Sequence, residues 1–379
     1  MRVVVAPNAL KGSLTAGEAA LAIARGLRTA NSAVEIVNLP IADGGDGTSA
    51  VLSAAREGVT RETIVPDPLG RPVRARFGLL DQGRTAVLDV ATASGLTLLQ
   101  AHEQDPLFCS SRGTGKLLSA ALDAGVEEVI LGVGGSATVD GGAGLLAALG
   151  VGLLDESGTP IASGGAGLAR LSRIDLSRVH PALARVKLRV ACDVDSPLLG
   201  ARGAAMAFGP QKGATPDVVL ELERNLAHFA DVIEQTTGRE VRHQPSAGAA
   251  GGIAGGLFGL LGATLEPGID LVLETVGFAR ALEGADLVIT AEGLLDLQSL
   301  HNKGPYGVGR WSKERGIPVI ALVGGIADDV RAADFPDFAG IFSICRRPSS
   351  LEEALQRSAV WLERTAESVL HVFACDERR

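Results

Sequence analysis

The 379-residue chain has few aromatic residues and few cysteines, and each shortage narrows the classes to which it can belong. Aromatic side chains make up 3% of the sequence, so the core is expected to consist mainly of Val, Leu, Ile and Ala. The four cysteines form no CxxC pair and lie far apart, which favours reduced thiols in the cytoplasm over a disulfide framework. A net charge of −9 argues against nucleic-acid or anionic-membrane partners, because those need a basic face.

The sequence also lacks the common motifs for nucleotides and zinc. No Walker GxxxxGK[ST] is present, and the segment 113–117 fails its spacing. Neither HExxH, nor zinc-type Cys/His spacing, nor the loop set of protein kinases occurs. Residues 2–8 are too short for a signal-peptide core and predict a first strand. Any ATP-dependent chemistry must therefore use other elements.

One stretch raises the question of a membrane segment. Residues 247–265 carry no charge, and their length of 19 residues is close to that of a membrane span. Seven of them are glycine, however, and the flanks lack Lys/Arg or aromatic anchors. A glycine-rich buried helix is the favoured interpretation.

The order of predicted elements indicates an α/β protein of two domains. Both chain ends alternate strands with helices, and the pattern Thr15-x-x-Glu18 predicts a capping box at the first helix. Right-handed crossovers would join the two ends in one Rossmann-like parallel sheet. Short alternating runs between residues 61 and 90 predict hairpins, so the inserted domain should have a mixed sheet. We therefore expect a discontinuous domain of residues 1–60 and 266–379, and an inserted domain of residues 61–265.

Glycine is abundant, at 49 residues, and many glycines lie in loops that also carry carboxylates. Each such loop follows a predicted strand, and carboxyl ends of strands are where open α/β sheets bind ligands. Glycines let backbone N–H groups surround an anion, while acidic side chains hold a divalent cation or accept a proton. Together these loops predict a phosphoryl-transfer site.

Near the N-terminus, the candidate residues are one lysine and two aspartates. Lys11 lies between the first strand and its helix, where it can neutralise a phosphate or carboxylate; a solvated surface lysine is the alternative. Asp43 and Asp46 flank two glycines after the second strand. They suit Mg²⁺–phosphate handling or contact with a substrate hydroxyl, although aspartates in turns also bond their own backbone.

The segment 132–138 has two interpretations. Its Gly-x-Gly-x-x-Ala pattern after a strand, with Asp155 beyond the next strand, resembles a dinucleotide-binding fingerprint. A phosphate-binding loop of Gly134 and Gly135, with Ser136 and Thr138 as hydroxyl donors, fits at least as well. The acidic and glycine-rich residues 140–142 weaken the dinucleotide alternative.

Two later loops complete the candidates. Asp193 and Asp195 end a strand on alternate sides, so only one is expected at the site. A cluster of acid, amide, hydroxyl and lysine side chains is suited to a polyphosphate and its metal. It consists of Glu292, Asp296, Gln298, Ser299 and Lys303.

Motifs along the whole chain resemble the bacterial D-glycerate kinase family (glycerate kinase type 1). The matching segments are 6–7, 11–14, 42–48, 70–73, 134–138, 140–142, 191–194, 208–214, 248–252, Glu292-Gly293, Asp296, Gln298 and Lys303. The resemblance implies a two-domain α/β enzyme that uses ATP and Mg²⁺ to phosphorylate D-glycerate. We expect 2-phosphoglycerate rather than 3-phosphoglycerate as the product.

The resemblance also marks positions to examine: Lys11, Asp43, Ser136, Asp193, Glu292, Asp296 and Lys303. Three positions depart from the family pattern: Asn8 replaces an aspartate, Ala291 a glycine, and Leu294 a residue that is often basic or polar. These departures bear on substrate choice and rate.

As a mechanism, we expect Lys11 or Arg71 to bind the substrate carboxylate, with Asp46 as a further substrate contact. Asp193 is the first choice for the acceptor of the hydroxyl proton, and Asp43 is the second choice. Lys303 is expected to spread the charge of the transferred phosphoryl group. Gly134, Gly135, Ser136, Thr138, Glu292 and Gln298 are expected to bind the nucleotide, and Asp296 with Glu292 the metal.

The alternatives are a kinase for another small hydroxy acid, an NAD-dependent oxidoreductase, and a non-catalytic sensor. For partners we expect small molecules only, with a homodimer as one option for assembly.

Overall fold

The computed structural model describes residues 1–296 and 304–376. Its strands, in chain order, are β1 (Arg2–Val5), β2 (Glu35–Asn38), β3 (Val59–Pro66), β4 (Pro72–Leu80), β5 (Thr85–Asp89), β6 (Glu128–Gly132), β7 (Gly152–Leu154), β8 (Arg173–Asp175), β9 (Lys187–Cys192), β10 (Thr264–Pro267), β11 (Leu287–Leu295), β12 (Val319–Ile326) and β13 (Gly340–Ser343). Its helices are α1 (Ala16–Ala30), α2 (Thr48–Ala55), α3 (Ala91–Ser94), α4 (Arg112–Asp123), α5 (Ala143–Ala148), α6 (Ala204–Phe208), α7 (Pro216–Thr237), α8 (Ile253–Leu261), α9 (Gly268–Thr275), α10 (Phe278–Ala281), α11 (Gly304–Lys313) and α12 (Leu351–Asp376).

The chain forms two compact units. The terminal unit comprises Met1–Asp43 and Ile269–Arg379, and the middle unit comprises Gly44–Gly268. Residues 44–60, which the sequence predicts in the first domain, belong to the middle unit, because α2 packs on β4 and β5. That packing is long-range, so no local pattern reveals it.

The terminal unit contains a five-stranded parallel sheet of order β13-β12-β11-β1-β2. Strands from both chain ends are adjacent, with Val3 opposite Leu287, which confirms the predicted Rossmann-like sheet. The expected capping box is present, since Thr15 and Glu18 satisfy each other's backbone N–H groups at the start of α1. Buried aliphatic residues of β1, α1, β11 and α12 form the core of this unit.

The middle unit contains a six-stranded mixed sheet of order β10-β9-β6-β5-β4-β3. The first four strands are parallel, and β4 and β3 are antiparallel, as the predicted hairpins require. Strands β7 and β8 form a separate hairpin. The carboxyl ends of β5, β6 and β9 therefore lie side by side at one edge.

The uncharged stretch 247–265 contains α8, a helix of nine residues that is almost entirely buried. Glycines in the left-handed conformation, Gly252 and Gly262, limit it at both ends. In the described part of the chain, no helix combines the length and the hydropathy needed to cross a membrane.

Candidate active site

In the terminal unit, a cavity of about 580 Å³ lies at the carboxyl ends of β1, β11 and β12. Its apolar walls are Leu10, Leu294, Ile344, Leu351 and Leu355. The volume and the apolar lining are typical of a small-molecule site, which usually adds a few polar groups for orientation.

Three predicted site residues supply those polar groups: Lys11, Glu292 and Asp296. Lys11 is exposed, whereas Glu292 is buried. Gly293 allows close contact between β11 and the Lys11 loop, because a Cβ there would lie 3.2 Å from the backbone nitrogen of Lys11. The structure thus brings one cation and two carboxylates together at one cavity, although Glu292 lies within β11 and not in a loop after it.

Asn8, one of the three departures from the family pattern, is 7% exposed and lies where β1 leaves the sheet. Its side-chain amide donates to Asp43 Oδ2 at 3.3 Å, and its Oδ1 accepts from the Ala9 backbone at 2.8 Å. The neutral amide supplies Asp43 with a hydrogen-bond donor, whereas an aspartate here would place a second carboxylate beside it. The departure therefore keeps a partner for Asp43 while removing a charge.

The predicted metal ligands, Glu292 and Asp296, both line the cavity. Within residues 1–296 and 304–376, no group of three or more His, Cys, Asp or Glu residues is arranged to hold a metal. Mg²⁺ is commonly bound through one or two carboxylates together with substrate phosphates. The two carboxylates fit such an ion in combination with a nucleotide. Gln298, Ser299 and Lys303 lie outside the described residues.

In the middle unit, glycines allow the loops at the sheet edge to pack closely. A Cβ on Gly134 would lie 2.5 Å from Gly45 Cα, and one on Gly44 would lie 2.8 Å from Ala191 O. A Cβ on Gly132 would lie 2.7 Å from Asp89 Oδ1. The loop after β6, residues 44–47 and the carboxyl ends of β5 and β9 therefore meet at one place, as the strand-end argument predicts.

Asp89, which was not among the sequence candidates, caps α2 from a distant part of the chain. The N-cap residue, Gly47, has no side chain, and both oxygens of Asp89 accept from the Ser49 backbone at 3.1 Å. The Ser49 hydroxyl donates to Asp89 Oδ2 at 2.7 Å. Burial raises the pKa of Asp89 to about 7, with a smaller contribution from the charge of Asp46. The hydrogen bonds from Ser49 act in the opposite direction and lower it. An acid at a strand end was the signal that could have found it.

The loop after β6 does not form a dinucleotide site. The chain passes through Gly141 and Gly142 in left-handed conformations, and α5 begins only at Ala143. The fingerprint requires a helix at residue 137, so that interpretation was wrong. Asp155 instead lies in a turn of the β7–β8 hairpin, where its Oδ1 accepts from Ser157 and Thr159.

Within this loop, Ser136 and Thr138 are both buried. Lys212, a second residue that sequence reasoning missed, donates from Nζ to Ser136 Oγ and to the Thr138 carbonyl, both at 2.8 Å. Asp140 is also buried; its carboxylate accepts from Ser111, Gly142 and Gly144 and orders the turn. The only sequence signal for Lys212 was its Gly-Pro-Gln-Lys-Gly context.

Of the remaining candidates in the middle unit, Asp46 is exposed and Asp193 is half-buried at the end of β9. Asp195 is exposed and pairs with Arg202 at 3.7 Å. Arg71 already has two carboxylate partners, Asp67 and Glu103, each at 2.6 Å. The hydrogen bond to Glu103, and to a lesser extent the one to Asp67, raises the pKa of Arg71.

The chain matches the sequence model of the glycerate kinase family over residues 3–374. It is 47% identical over 369 residues to a glycerate kinase of Bacillus subtilis (strain 168), covering 97% of each chain. It is 43% identical over 356 residues to a glycerate 2-kinase of Escherichia coli (strain K12), covering 94% of this chain and 93% of that one. A crystal structure assigned to glycerate kinase 2 of Salmonella typhimurium LT2 has a TM-score of 0.90 and 39% identity, with both chains fully covered.

Proposed function

The chain belongs to the glycerate kinase family and is an enzyme of that kind, and we propose that it transfers the γ-phosphoryl group of ATP to the C2 hydroxyl of D-glycerate. The choice of C2 is supported by the Escherichia coli relative, whose name specifies a 2-kinase. The product of the proposed reaction is 2-phosphoglycerate.

The cavity of the terminal unit carries this proposal, as the site for ATP. Its aliphatic walls suit a nucleotide base, and its polar residues suit a polyphosphate. Lys11 neutralises phosphate charge, and Glu292 with Asp296 would hold the Mg²⁺ that ATP carries. When bound, the ion supplies further neutralisation of charge on the β- and γ-phosphates.

Phosphoryl transfer depends mostly on positioning and charge neutralisation, so few groups need to move protons. We propose Asp193 as the acceptor of the hydroxyl proton and Asp43 as the second candidate. Asp193→Asn should lower kcat by ~10²–10⁴-fold, the range for a general base. Near-normal turnover of that variant would exclude Asp193. Lys303 keeps its proposed role in spreading phosphoryl charge, and Lys303→Met should reduce kcat to a similar degree.

Phosphorus NMR of the protein with ATP, Mg²⁺ and D-glycerate tests the reaction and its position together. A phosphomonoester at C2 has one neighbouring proton and gives a doublet, whereas one at C3 has two and gives a triplet. A doublet supports the proposal, and a triplet contradicts the choice of C2. If the ATP signals do not change, the proposed reaction is contradicted. A parallel sample with L-glycerate is the control for stereochemistry.

Two further proposals concern location and assembly. Cys109, Cys192 and Cys345 are free thiols, which is consistent with the reducing cytoplasm. A homodimer remains a prediction, and light scattering of the purified protein tests it. A mass of 38.8 kDa would instead indicate a monomer.

A further inference from the structure

Lys212 is a buried cation that has no role in the reaction as proposed above. It ends a short 3-10 helix, Pro210–Lys212, and only 3% of the residue is exposed. Burying an ammonium group is costly unless a counter-charge and hydrogen bonds compensate. Among the described residues, no carboxylate forms an ion pair with it within 4 Å, and the charges of Asp140 and Asp193 act on it only from a greater distance.

The other buried cation of the middle unit shows what a purely structural arrangement looks like. Arg189 contacts Glu266 through Nε at 2.7 Å and through Nη2 at 2.5 Å, and its Nη1 lies 3.5 Å from Glu128. Its charge is therefore balanced within the fold. Lys212 has no such carboxylate in direct contact, and an anionic ligand would supply one.

The hydrogen bonds of Lys212 determine how Ser136 can act. An ammonium group only donates, so Ser136 Oγ must accept its 2.8 Å bond. The hydroxyl hydrogen of Ser136 is then directed elsewhere, and no described residue accepts it. The second bond of Lys212, to the Thr138 carbonyl, fixes the loop on the other side of Ser136. The serine is thus set as a donor backed by a positive charge.

We propose that Ser136 binds the carboxylate of the hydroxy-acid substrate, and not the nucleotide as the sequence suggested, and that Lys212 positions the Ser136 hydroxyl and supplies the balancing charge. The inference rests on the proposed function, because it takes D-glycerate as the substrate. A carboxylate accepting from this hydroxyl forms a charge-assisted hydrogen bond, which is stronger than a neutral one. Arg71, the cation expected from the sequence for this role, already pairs with Asp67 and Glu103.

The test compares D-glycerate with D-glyceramide, its neutral amide, which retains both hydroxyl groups. Ser136→Ala should raise KM for D-glycerate by on the order of 10- to 100-fold, the loss of one hydrogen bond to a charged group. KM for ATP and for D-glyceramide should change little. Lys212→Met should produce the same selective loss, Lys212→Arg should restore part of it, and the double variant should be no worse than Lys212→Met alone.

Lys187→Met is the matched control, because Lys187 is an exposed lysine of the same unit. If Ser136→Ala keeps the wild-type ratio of KM for D-glycerate to KM for D-glyceramide, the proposal is overturned. Because this substitution is small, it decides the question even if Lys212→Met does not fold. A loss in Lys212→Met alone would mean direct contact of the lysine and would refute the role of Ser136. Absence of any wild-type turnover of D-glycerate would overturn the proposed function, and this inference with it.

Discussion

Replacing Gly134 with alanine tests whether the close packing of loops in the middle unit is needed for turnover. The new Cβ would lie 2.5 Å from Gly45 Cα and 3.0 Å from Asp46 N, whereas ordinary contacts begin at 3.4 Å. Backbone strain is not involved, because Gly134 does not have a positive φ. Both nearest atoms are backbone, so the segment that carries Asp46 must shift by about 1 Å. A displacement of that size can cost ~10²-fold in rate.

We therefore expect Gly134→Ala to lower kcat/KM for D-glycerate by ~10²-fold and to reduce the free energy of unfolding by about 1–3 kcal/mol. Coupled kinetics and urea denaturation measure the two effects separately. Gly17→Ala is the control, because a Cβ at Gly17, within α1, contacts nothing. That control should keep full activity and gain about 0.5–1 kcal/mol of stability. A Gly134→Ala enzyme with wild-type kinetics would refute the need for this close approach.

Three further changes should have distinct effects. Asp89 has a pKa of about 7 in the folded protein, against an ordinary value of 3.8. The unfolded chain therefore loses this proton first, so the free energy of unfolding falls as pH rises from about 4 to 7. Asp89→Asn should remove this pH dependence, which is worth at most about 4 kcal/mol. Urea unfolding of both proteins at pH 5 and at pH 7.5 measures the change in stability. If that change is the same in Asp89→Asn as in the wild type, the assignment to Asp89 is contradicted. Lys11→Met should raise KM for ATP by ~10-fold, with Lys313→Met as an exposed control, and an unaltered KM would exclude Lys11 from the nucleotide site. Burial lowers the pKa of Lys212 to about 8, so kcat/KM for D-glycerate should fall above pH 8, and Ser136→Ala should weaken that fall. The ionisable groups that raise this pKa are Asp140, Cys109 and Asp193.

Much of the fold could be predicted because its signals are local. The capping box at Thr15 and Glu18 involves residues only three apart, and it is present at the start of α1. The parallel sheet from both chain ends followed from strand and helix alternation with right-handed crossovers. The placement of α2 depends on long-range packing with β4 and β5, which no short pattern contains.

The candidate site was predictable to the same extent. The strand-end rule grouped Lys11, Glu292 and Asp296, which line one cavity, although β11 extends to Leu295 and therefore contains Glu292. It did not find Lys212, which is the last residue of a short 3-10 helix and reaches Ser136 across 76 positions of sequence. The Gly-x-Gly pattern at residues 132–134 misled because a fingerprint specifies residue types, whereas left-handed Gly141 and Gly142 delay the helix.

Two buried groups at the sheet edge of the middle unit have pKa values displaced towards neutrality from opposite directions. Burial raises the pKa of Asp89 to about 7 and lowers that of Lys212 to about 8. Neither shift helps the fold, because burying the charged form destabilises the folded state and the hydrogen bonds of Asp89 to Ser49 and of Lys212 to Ser136 offset this only in part. Arg189, in the same sheet, shows that this unit can balance a buried cation when the role is structural. Both groups lie near the edge where the loops after β5 and β6 meet, and perturbed groups of this kind concentrate where ligands bind. That contrast supports the proposal that this edge binds the substrate, with the charge of the ligand as part of the balance.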